Sequence, residues 1–211
     1  MKKINCEQNA EHSSCNKIDK KYILATEVYV DDKVCPDVWE IKEPINKTGA
    51  YGDIIEACCE KTCDYVYKEI KFQEKNYPQY TLDDLKNEIH FQELASNAGL
   101  APKIYQVFIS KDKGAFIMDR MEYTIAEFIN TNYDDKKLLD KTLDDIVTEI
   151  KSLNKIGIVH DDLHLGNIMY SSKDSVWKFI DFGKAREMKE NDGEAYDEEY
   201  FLYNFKKHIH R

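Results

Sequence analysis

Two short stretches decide the fold: His160-Asp161-Asp162-Leu163-His164-Leu165-Gly166-Asn167 and, fourteen residues after Asn167, Asp181-Phe182-Gly183. The β-branched and aromatic segments between them, 168–170 and 176–180, predict a hairpin with its turn at 171–174. Either stretch alone would be a polar turn between strands. Together, in this order and around a hairpin, the two stretches are hard to obtain by chance.

The two stretches resemble the HxDLxxxN and DFG motifs of the protein-kinase-like superfamily. The resemblance implies a phosphotransferase that uses ATP and Mg²⁺, with Asp162 as catalytic base and Asn167 and Asp181 as metal ligands. Phosphoryl transfer needs these residue types, because a carboxylate orients the attacking hydroxyl while an amide oxygen and a second carboxylate hold Mg²⁺ against the triphosphate. His160 would fix the loop.

The upstream half contains a lysine and a glutamate to which the resemblance assigns a role. Lys68 ends Tyr65-Val66-Tyr67-Lys68 on a predicted strand, where the family has VAIK, and would contact the α- and β-phosphates. Glu88, on a helix that begins after Thr81, is the expected ion-pair partner of Lys68. Glu93 on the same helix remains the alternative.

A glycine-containing turn and a hinge segment complete the expected nucleotide site. Residues 47–54 align with GxGxxGxV so that Gly49 and Gly52 match the second and third glycines, with Lys47 in place of the first. Residues 116–122 resemble the strand and hinge, with Met118 as gatekeeper and the backbone of 119–121 facing adenine. The expected cofactor-binding residues are Gly49, Gly52, Ile54, Lys68, Glu88, Met118, Asp119 and Met121, the expected catalytic residues are Asp162, Lys68 and Asn167, and the expected metal ligands are Asn167 and Asp181.

Hydrophobic periodicity divides the chain into a β-rich first part and a helical second part. Strands are expected at 22–30, 51–59, 65–72, 104–110 and 114–121, with the helix after Thr81 among them, its Leu94 on the buried face. Apolar residues from Leu139 to Leu153 predict a long helix that Gly157 ends, and another helix is expected from about Glu194.

The resemblance, together with this division of the chain, implies an α+β, two-lobed, protein-kinase-like fold with a reduced C-lobe. Its parts are a loose N-terminal leader at 1–20, an N-lobe of sheet plus one helix at 21–118, a hinge at 119–122, and a truncated helical C-lobe with the catalytic and metal-binding loops at 123–211.

Two departures from the family pattern bear on the type of kinase. Only 28 residues follow Gly183, and the sequence lacks the Ala-Pro-Glu motif that ends the activation segment of conventional protein kinases. In this respect the chain is similar to minimal or atypical kinases such as the KEOPS-complex and RIO kinases or viral serine/threonine kinases. A truncated product remains an open alternative. His164 stands where most serine/threonine kinases have lysine. In this respect the HxDLHxGN stretch is more similar to aminoglycoside and choline phosphotransferases. Its imidazole would either contact phosphate or hydrogen-bond the loop.

The function we expect is that of a minimal serine/threonine protein kinase. The acidic stretch 187–199 is interpreted as a solvated segment or, alternatively, as a recognition surface for a basic protein substrate. A small-molecule phosphotransferase is one alternative, which His164 favours. A second is an ATPase-like or pseudokinase subunit that acts through a partner, although Asp162, Lys68 and Asp181 are all present.

Composition bears on partners and location. The 211 residues carry a net charge of −10, which opposes unspecific binding to nucleic acid or an anionic membrane. No apolar run approaches the roughly 18 residues of a membrane helix, so we expect a cytoplasmic protein, in the host cytoplasm if the source is viral. Whether the chain is a homodimer or a subunit of a complex stays open.

The six cysteines are expected as reduced thiols, with a zinc site at Cys6, His12, Cys15 and Cys35 as the less favoured alternative.

Overall fold

The computed structural model describes residues 1–6, 8, 25, 27–30, 39–46, 52–72, 80–189 and 196–209. The chain forms two compact units, Met1–Lys86 with Lys103–Arg120 and Asn87–Pro102 with Met121–Arg211. The domain bounds given above stay a prediction. No helix in the described ranges is long and apolar enough to cross a membrane.

The first unit is built on a seven-stranded antiparallel sheet, in the order β1-β2-β6-β7-β5-β4-β3. Its core consists of side chains that alternate along the central strands, with Val28, Tyr67, Phe108 and Ile117 fully buried. The strands are β1 (Lys2–Asn5), β2 (Glu27–Val30), β3 (Glu40–Asn46), β4 (Gly52–Cys59), β5 (Thr62–Lys71), β6 (Ile104–Ile109) and β7 (Lys113–Asp119).

The N-terminus corrects one expectation. A loose leader over 1–20 is wrong for residues 2–5, because β1 pairs with β2 and places the buried Ile4 opposite Val28. A strand of four residues is too short for its periodicity to be visible in the sequence. Edge strand β3 was also not predicted, since its Pro44 is typical of edges and weakens a strand pattern.

The cysteines correct a second expectation. Cys58 and Cys63, near the turn between β4 and β5, form a disulfide, and Cys6 and Cys59 are disulfide-bonded as well. Reduced thiols are therefore wrong for these four residues, and Cys6 is not available to the alternative zinc site. Disulfides are typical of oxidising compartments, and the cytoplasmic location stays a prediction.

The second unit is mainly helical, and α1 passes into it from the first unit. Ile146, Ile150 and Leu153 of α3 are fully buried in its core, which confirms the helix predicted up to Gly157, whose φ is +83°. The elements are α1 (Leu82–Asn97), α2 (Ile125–Thr131), α3 (Lys136–Lys155), β8 (Ile158–Val159), β9 (Ile168–Ser171), β10 (Val176–Phe179), a 3₁₀ turn (Phe182–Lys184), β11 (Arg186–Glu187) and α4 (Tyr196–Ile209).

Helix ends follow local hydrogen-bond chemistry. At α1 the Asp84 N–H donates to Thr81 Oγ1 at 3.1 Å and the Thr81 N–H donates to the Asp84 carboxylate at 2.8 Å, which confirms the predicted start. Leu94 is 42% exposed, so its predicted place on the buried face of α1 is wrong. Helix α2 was not predicted, although Thr124 and Glu127 form a capping box at its start, because seven residues are too few to show a helical period.

Candidate active site

Short strand pairs of the second unit bring the two polar stretches together. Residues 160–167 join β8 to β9, and Asp181 lies just beyond β10. Strands β9 and β10 pair antiparallel with Ile168 opposite Phe179, which confirms the predicted hairpin. The Ile180 N–H donates to the Asn167 carbonyl at 3.0 Å, so the backbone just before Asp181 is bonded to Asn167.

Asn167 is oriented by the backbone of the same loop. It is 5% exposed, and its Nδ2 donates to the Asp162 carbonyl at 3.0 Å. The His164 N–H donates to the same carbonyl at 2.8 Å, which makes the loop a compact turn. Because Nδ2 is engaged, the amide oxygen of Asn167 is the atom that can bind a cation.

A lysine that the sequence analysis did not single out accompanies Asp162. Lys184 Nζ, at the end of the 3₁₀ turn, lies 2.9 Å from Asp162 Oδ2. His164 is bonded within its own loop, since its Nδ1 accepts the Gly166 N–H at 3.0 Å. The only sequence signal for this cation was its place directly after Gly183.

Two aspartates of the site have left-handed backbone conformations. Asp161 has φ +63° and Asp181 has φ +66°, a region that few non-glycine residues adopt and that surrounding contacts must hold. At Asp161 the contact is an ion pair, because Arg186 Nε of β11 lies 3.2 Å from Asp161 Oδ2. Arg186 sits opposite Val159 in the β8–β11 pair, so the strand pairing holds the arginine in place.

Asp197, in the first turn of α4, anchors the backbone at the start of the 160–167 loop. It is 1% exposed, and its carboxylate accepts the His160 N–H at 2.8 Å, the Asp161 N–H at 3.1 Å and Asn154 Nδ2 at 3.3 Å. The interpretation of 187–199 as a solvated segment is therefore wrong for Asp197. An acid four residues before the buried Phe201, on one face of the predicted helix, was the available signal.

His160 is a buried part of the scaffold. Its ring is fully buried, lies 4.8 Å from the Phe182 ring centroid, and donates from Nε2 to the Ile180 carbonyl at 3.0 Å. Burial lowers the pKa of His160 and outweighs the opposing effect of the Asp197 carboxylate. The imidazole is therefore neutral, and its Nδ1 has no hydrogen-bond partner among the described residues.

The first unit holds several of the predicted nucleotide-site residues on neighbouring strands. Lys68 of β5 is buried, with Nζ 5.7 Å from the Phe116 ring centroid, and Ile54 of β4 lies opposite it. Gly52 begins β4. Gly49, like Lys47, lies outside the described residues.

Met118 and Asp119 end β7, and both are buried. The Asp119 carboxylate accepts the Lys103 N–H at 3.1 Å and the Tyr105 hydroxyl at 2.8 Å. These bonds hold the segment that leads to Arg120, the last residue of the first unit. The predicted role of the 119–121 backbone toward adenine stays a prediction.

The remaining predicted residues belong to the second unit. Glu88 of α1 is 1% exposed and Met121 is 9% exposed, whereas Glu93 is half-buried. Next to Glu88, Asn87 Nδ2 donates to the Ala185 carbonyl at 2.9 Å, which connects α1 to the segment after the 3₁₀ turn. Burial favours Glu88 over Glu93 as the functional glutamate, and its pairing with Lys68 stays a prediction.

Comparisons with known proteins agree with this geometry. A family model described as the protein kinase domain matches residues 43–202. Over 62 residues, 29% of the chain, it is 36% identical to a probable serine/threonine-protein kinase fnkB of Dictyostelium discoideum. Over 75 residues, 36% of the chain, it is 35% identical to a 3-deoxy-D-manno-octulosonic acid kinase of Vibrio parahaemolyticus. The matched stretches span 12% and 31% of those two proteins.

Proposed function

Since this chain belongs to the protein kinase domain family, we propose that it is a phosphotransferase that uses ATP and Mg²⁺ to phosphorylate a hydroxyl group. The observation that carries the proposal is the cluster in the second unit: the Asp162 carboxylate with Lys184 at 2.9 Å, and Asn167 bonded to the Asp162 backbone at 3.0 Å. A base, a cation and an oriented amide on two adjoining loops are the parts that phosphoryl transfer requires.

Asp162 acts as the base in this proposal. Its carboxylate accepts the proton of the acceptor hydroxyl while the hydroxyl oxygen attacks the γ-phosphorus of ATP. A new oxygen–phosphorus bond forms, the bond from the γ-phosphorus to the bridging oxygen breaks, and the electron pair leaves with ADP. Left-handed Asp161 and the backbone bonds to Asp197 hold Asp162 in position for this step.

The donor atoms of Asn167 and Asp181 fit Mg²⁺. Both offer hard oxygen ligands, which this cation prefers, and the Nδ2 bond of Asn167 fixes which end of the amide faces the site. When bound, the metal ion neutralises negative charge on the phosphate oxygens. Asn167 and Asp181 would hold it, and the bond from the Ile180 N–H to the Asn167 carbonyl would keep the two loops at a fixed spacing.

Lys184 supplies the positive charge that the family pattern expects where His164 stands. Its ammonium group at Asp162 orients the carboxylate and offers hydrogen bonds to the oxygens of the transferred phosphoryl group. His164, bonded to the Gly166 N–H, contributes to the shape of the loop. In this chain the 3₁₀ turn therefore supplies the cation, whereas in the family pattern the loop between β8 and β9 supplies it.

For the acceptor, we propose a serine or threonine of a protein. The similarity to a probable serine/threonine-protein kinase supports this choice. A second candidate is the hydroxyl of a small sugar acid, because a longer stretch of the chain is similar to a 3-deoxy-D-manno-octulosonic acid kinase. His164, at which the sequence resembles small-molecule phosphotransferases, favours the second candidate.

The test follows the γ-phosphate of labelled ATP in the presence of Mg²⁺. Wild type is incubated with a basic protein, with 3-deoxy-D-manno-octulosonic acid, or with no acceptor, beside the metal-ligand variant Asp181→Asn and the control Asp144→Asn on exposed α3 surface. Label on the protein supports a protein kinase, and label on the sugar supports the second candidate. Free phosphate alone in every reaction would contradict phosphotransfer to a hydroxyl acceptor and indicate an ATPase-like subunit.

A further inference from the structure

The second unit contains a cavity that the proposed activity does not use. It has a volume of about 430 Å³ and lies between α2, α3 and the β9–β10 hairpin, within the range of roughly 300–1,000 Å³ that ligand sites occupy. Tyr170, which lines it, is three residues beyond Asn167 on β9, about 10 Å along the strand. The cavity is therefore separate from the 160–167 loop, but it borders the β9–β10 hairpin that directly follows this loop.

One wall of the cavity is aromatic. The Tyr123 ring is nearly parallel to those of Phe128 and Tyr170, at interplanar angles of 13° and 12°. Trp177 meets all three rings edge-on at centroid distances of 5.3 to 6.0 Å. Tyr123, Phe128 and Tyr170 are only half-buried, so part of this π surface is open to a ligand.

The part of the lining that α3 contributes is acidic. Asp145 and Glu149 stand one turn apart on α3, and Lys141 is the single lysine of the lining, so carboxylates outnumber cations by two to one. Burial and the neighbouring Asp145 raise the pKa of Glu149, and burial, Tyr170 and Glu122 raise the pKa of Tyr123. Asp145 is exposed and Glu149 is half-buried, so a cationic group can reach both carboxylates and would offset the negative charge of Asp145 beside Glu149.

We propose that this cavity docks an arginine side chain from a peptide segment of a partner protein. A guanidinium group stacks on aromatic rings and forms charge-assisted hydrogen bonds to carboxylates at the same time. Its aliphatic stem suits an apolar wall. Exposed Lys141, Thr148 and Ser175 at the rim leave room for the peptide that carries the arginine. A partner bound here contacts the hairpin that directly follows Asn167.

The test measures peptide binding without nucleotide, so its outcome is independent of phosphotransfer. The probe is Ac-Ala-Leu-Arg-Leu-Ala-NH₂, titrated calorimetrically against wild type beside the same peptide with neutral citrulline. The variant Asp145→Asn/Glu149→Gln removes the acidic wall. The control Asp140→Asn/Asp144→Asn removes the same charge from exposed positions of α3 that do not line the cavity. Urea unfolding of both variants establishes that they are folded.

We expect the acidic-wall variant and the citrulline peptide each to weaken binding by at least about tenfold. The control variant is expected to stay within about twofold of wild type, because Asp140 and Asp144 do not line the cavity and solvent and salt screen exposed charges. Tryptophan fluorescence gives a second readout: the chain has two tryptophans, and Trp39→Phe leaves Trp177 at the cavity. We expect the emission of Trp177 to change when the arginine peptide is added and to stay unchanged with the citrulline peptide.

Three results would overturn the proposal. Equal loss in the two double variants would mean attraction to the overall negative charge of the chain. If the citrulline peptide bound as tightly as the arginine peptide, the cavity would not recognise the positive charge of the side chain. If neither peptide bound, the cavity would not dock this segment at all. Free arginine or spermidine binding as tightly as the peptide would make the cavity a site for small cations and exclude a peptide dock.

Discussion

Lys184 Nζ and Asp162 Oδ2 are 2.9 Å apart, which joins the turn after Asp181 to the loop between β8 and β9 by one ion pair. The loop itself uses His164 to accept the Gly166 N–H. A cation at Asp162 thus reaches the site from a different segment than the family pattern leads one to expect.

Replacing Lys184 should slow phosphoryl transfer. Lys184→Ala is expected to lower kcat by about tenfold to a hundredfold, because a preorganised donor at the transferred group is lost, with a smaller effect on the KM for ATP. Lys184→Arg should retain more of the rate than Lys184→Ala. Steady-state kinetics beside Lys155→Ala, an exposed lysine of α3, checks this; an unchanged kcat in Lys184→Ala would remove the lysine from the mechanism.

Asp197 should contribute strongly to stability. Asp197→Ala leaves the N–H groups of His160 and Asp161 without their acceptor in a buried place, which costs about 2–4 kcal/mol of the free energy of unfolding. Glu199→Gln, an exposed position on the same helix, should change it by less than about 0.5 kcal/mol. Urea denaturation of both variants measures the difference, and similar values for the two would contradict the anchoring role.

The buried His160 should make stability fall in mild acid. Its pKa in the folded state is below the ordinary 6.5, so the unfolded chain binds the proton more readily and stability is lost as pH falls below about 6.5. Wild type should lose up to about 1.4 kcal/mol per pH unit more than His160→Gln in that window. Urea unfolding at pH 7.5, 6.0 and 5.0 tests the slopes. Parallel slopes would mean that His160 is not held neutral.

The Cys58–Cys63 disulfide should be detectable in purified protein. Alkylation without reductant is expected to leave both cysteines unlabelled, and a non-reduced digest should link peptides from either side of Lys61. Cys58→Ser/Cys63→Ser should reduce the free energy of unfolding by about 2 kcal/mol, the value for closing so short a loop. Full alkylation of both thiols in native protein would contradict the disulfide.

Strong periodicity made much of the second unit predictable. Helix α3 follows directly from apolar spacing, since its core residues repeat at 3.6. The β9–β10 hairpin follows from two β-branched and aromatic runs on either side of a polar turn. Strands β1 and β3 and helix α2 could not be seen, because each is short or carries few apolar side chains. Local patterns of that length do not rise above those of turns.

The site shows the same division. Asp162, Asn167 and Asp181 stand out because they lie in compact stretches of sequence. Asp197 contacts His160 across 37 residues, and Lys184 meets Asp162 only because the 3₁₀ turn folds back toward the loop. Contacts of that range depend on tertiary structure and leave no periodic trace in the sequence.

The most direct test of the central claim compares wild type with Asp162→Asn in a single experiment that measures nucleotide binding and γ-phosphate transfer under the same conditions. Asparagine keeps the size and the hydrogen-bonding oxygen of aspartate but cannot take up the proton. We predict that ATP binding with Mg²⁺ is retained while transfer to the acceptor falls by about a hundredfold or more. Equal transfer by wild type and Asp162→Asn would contradict the account.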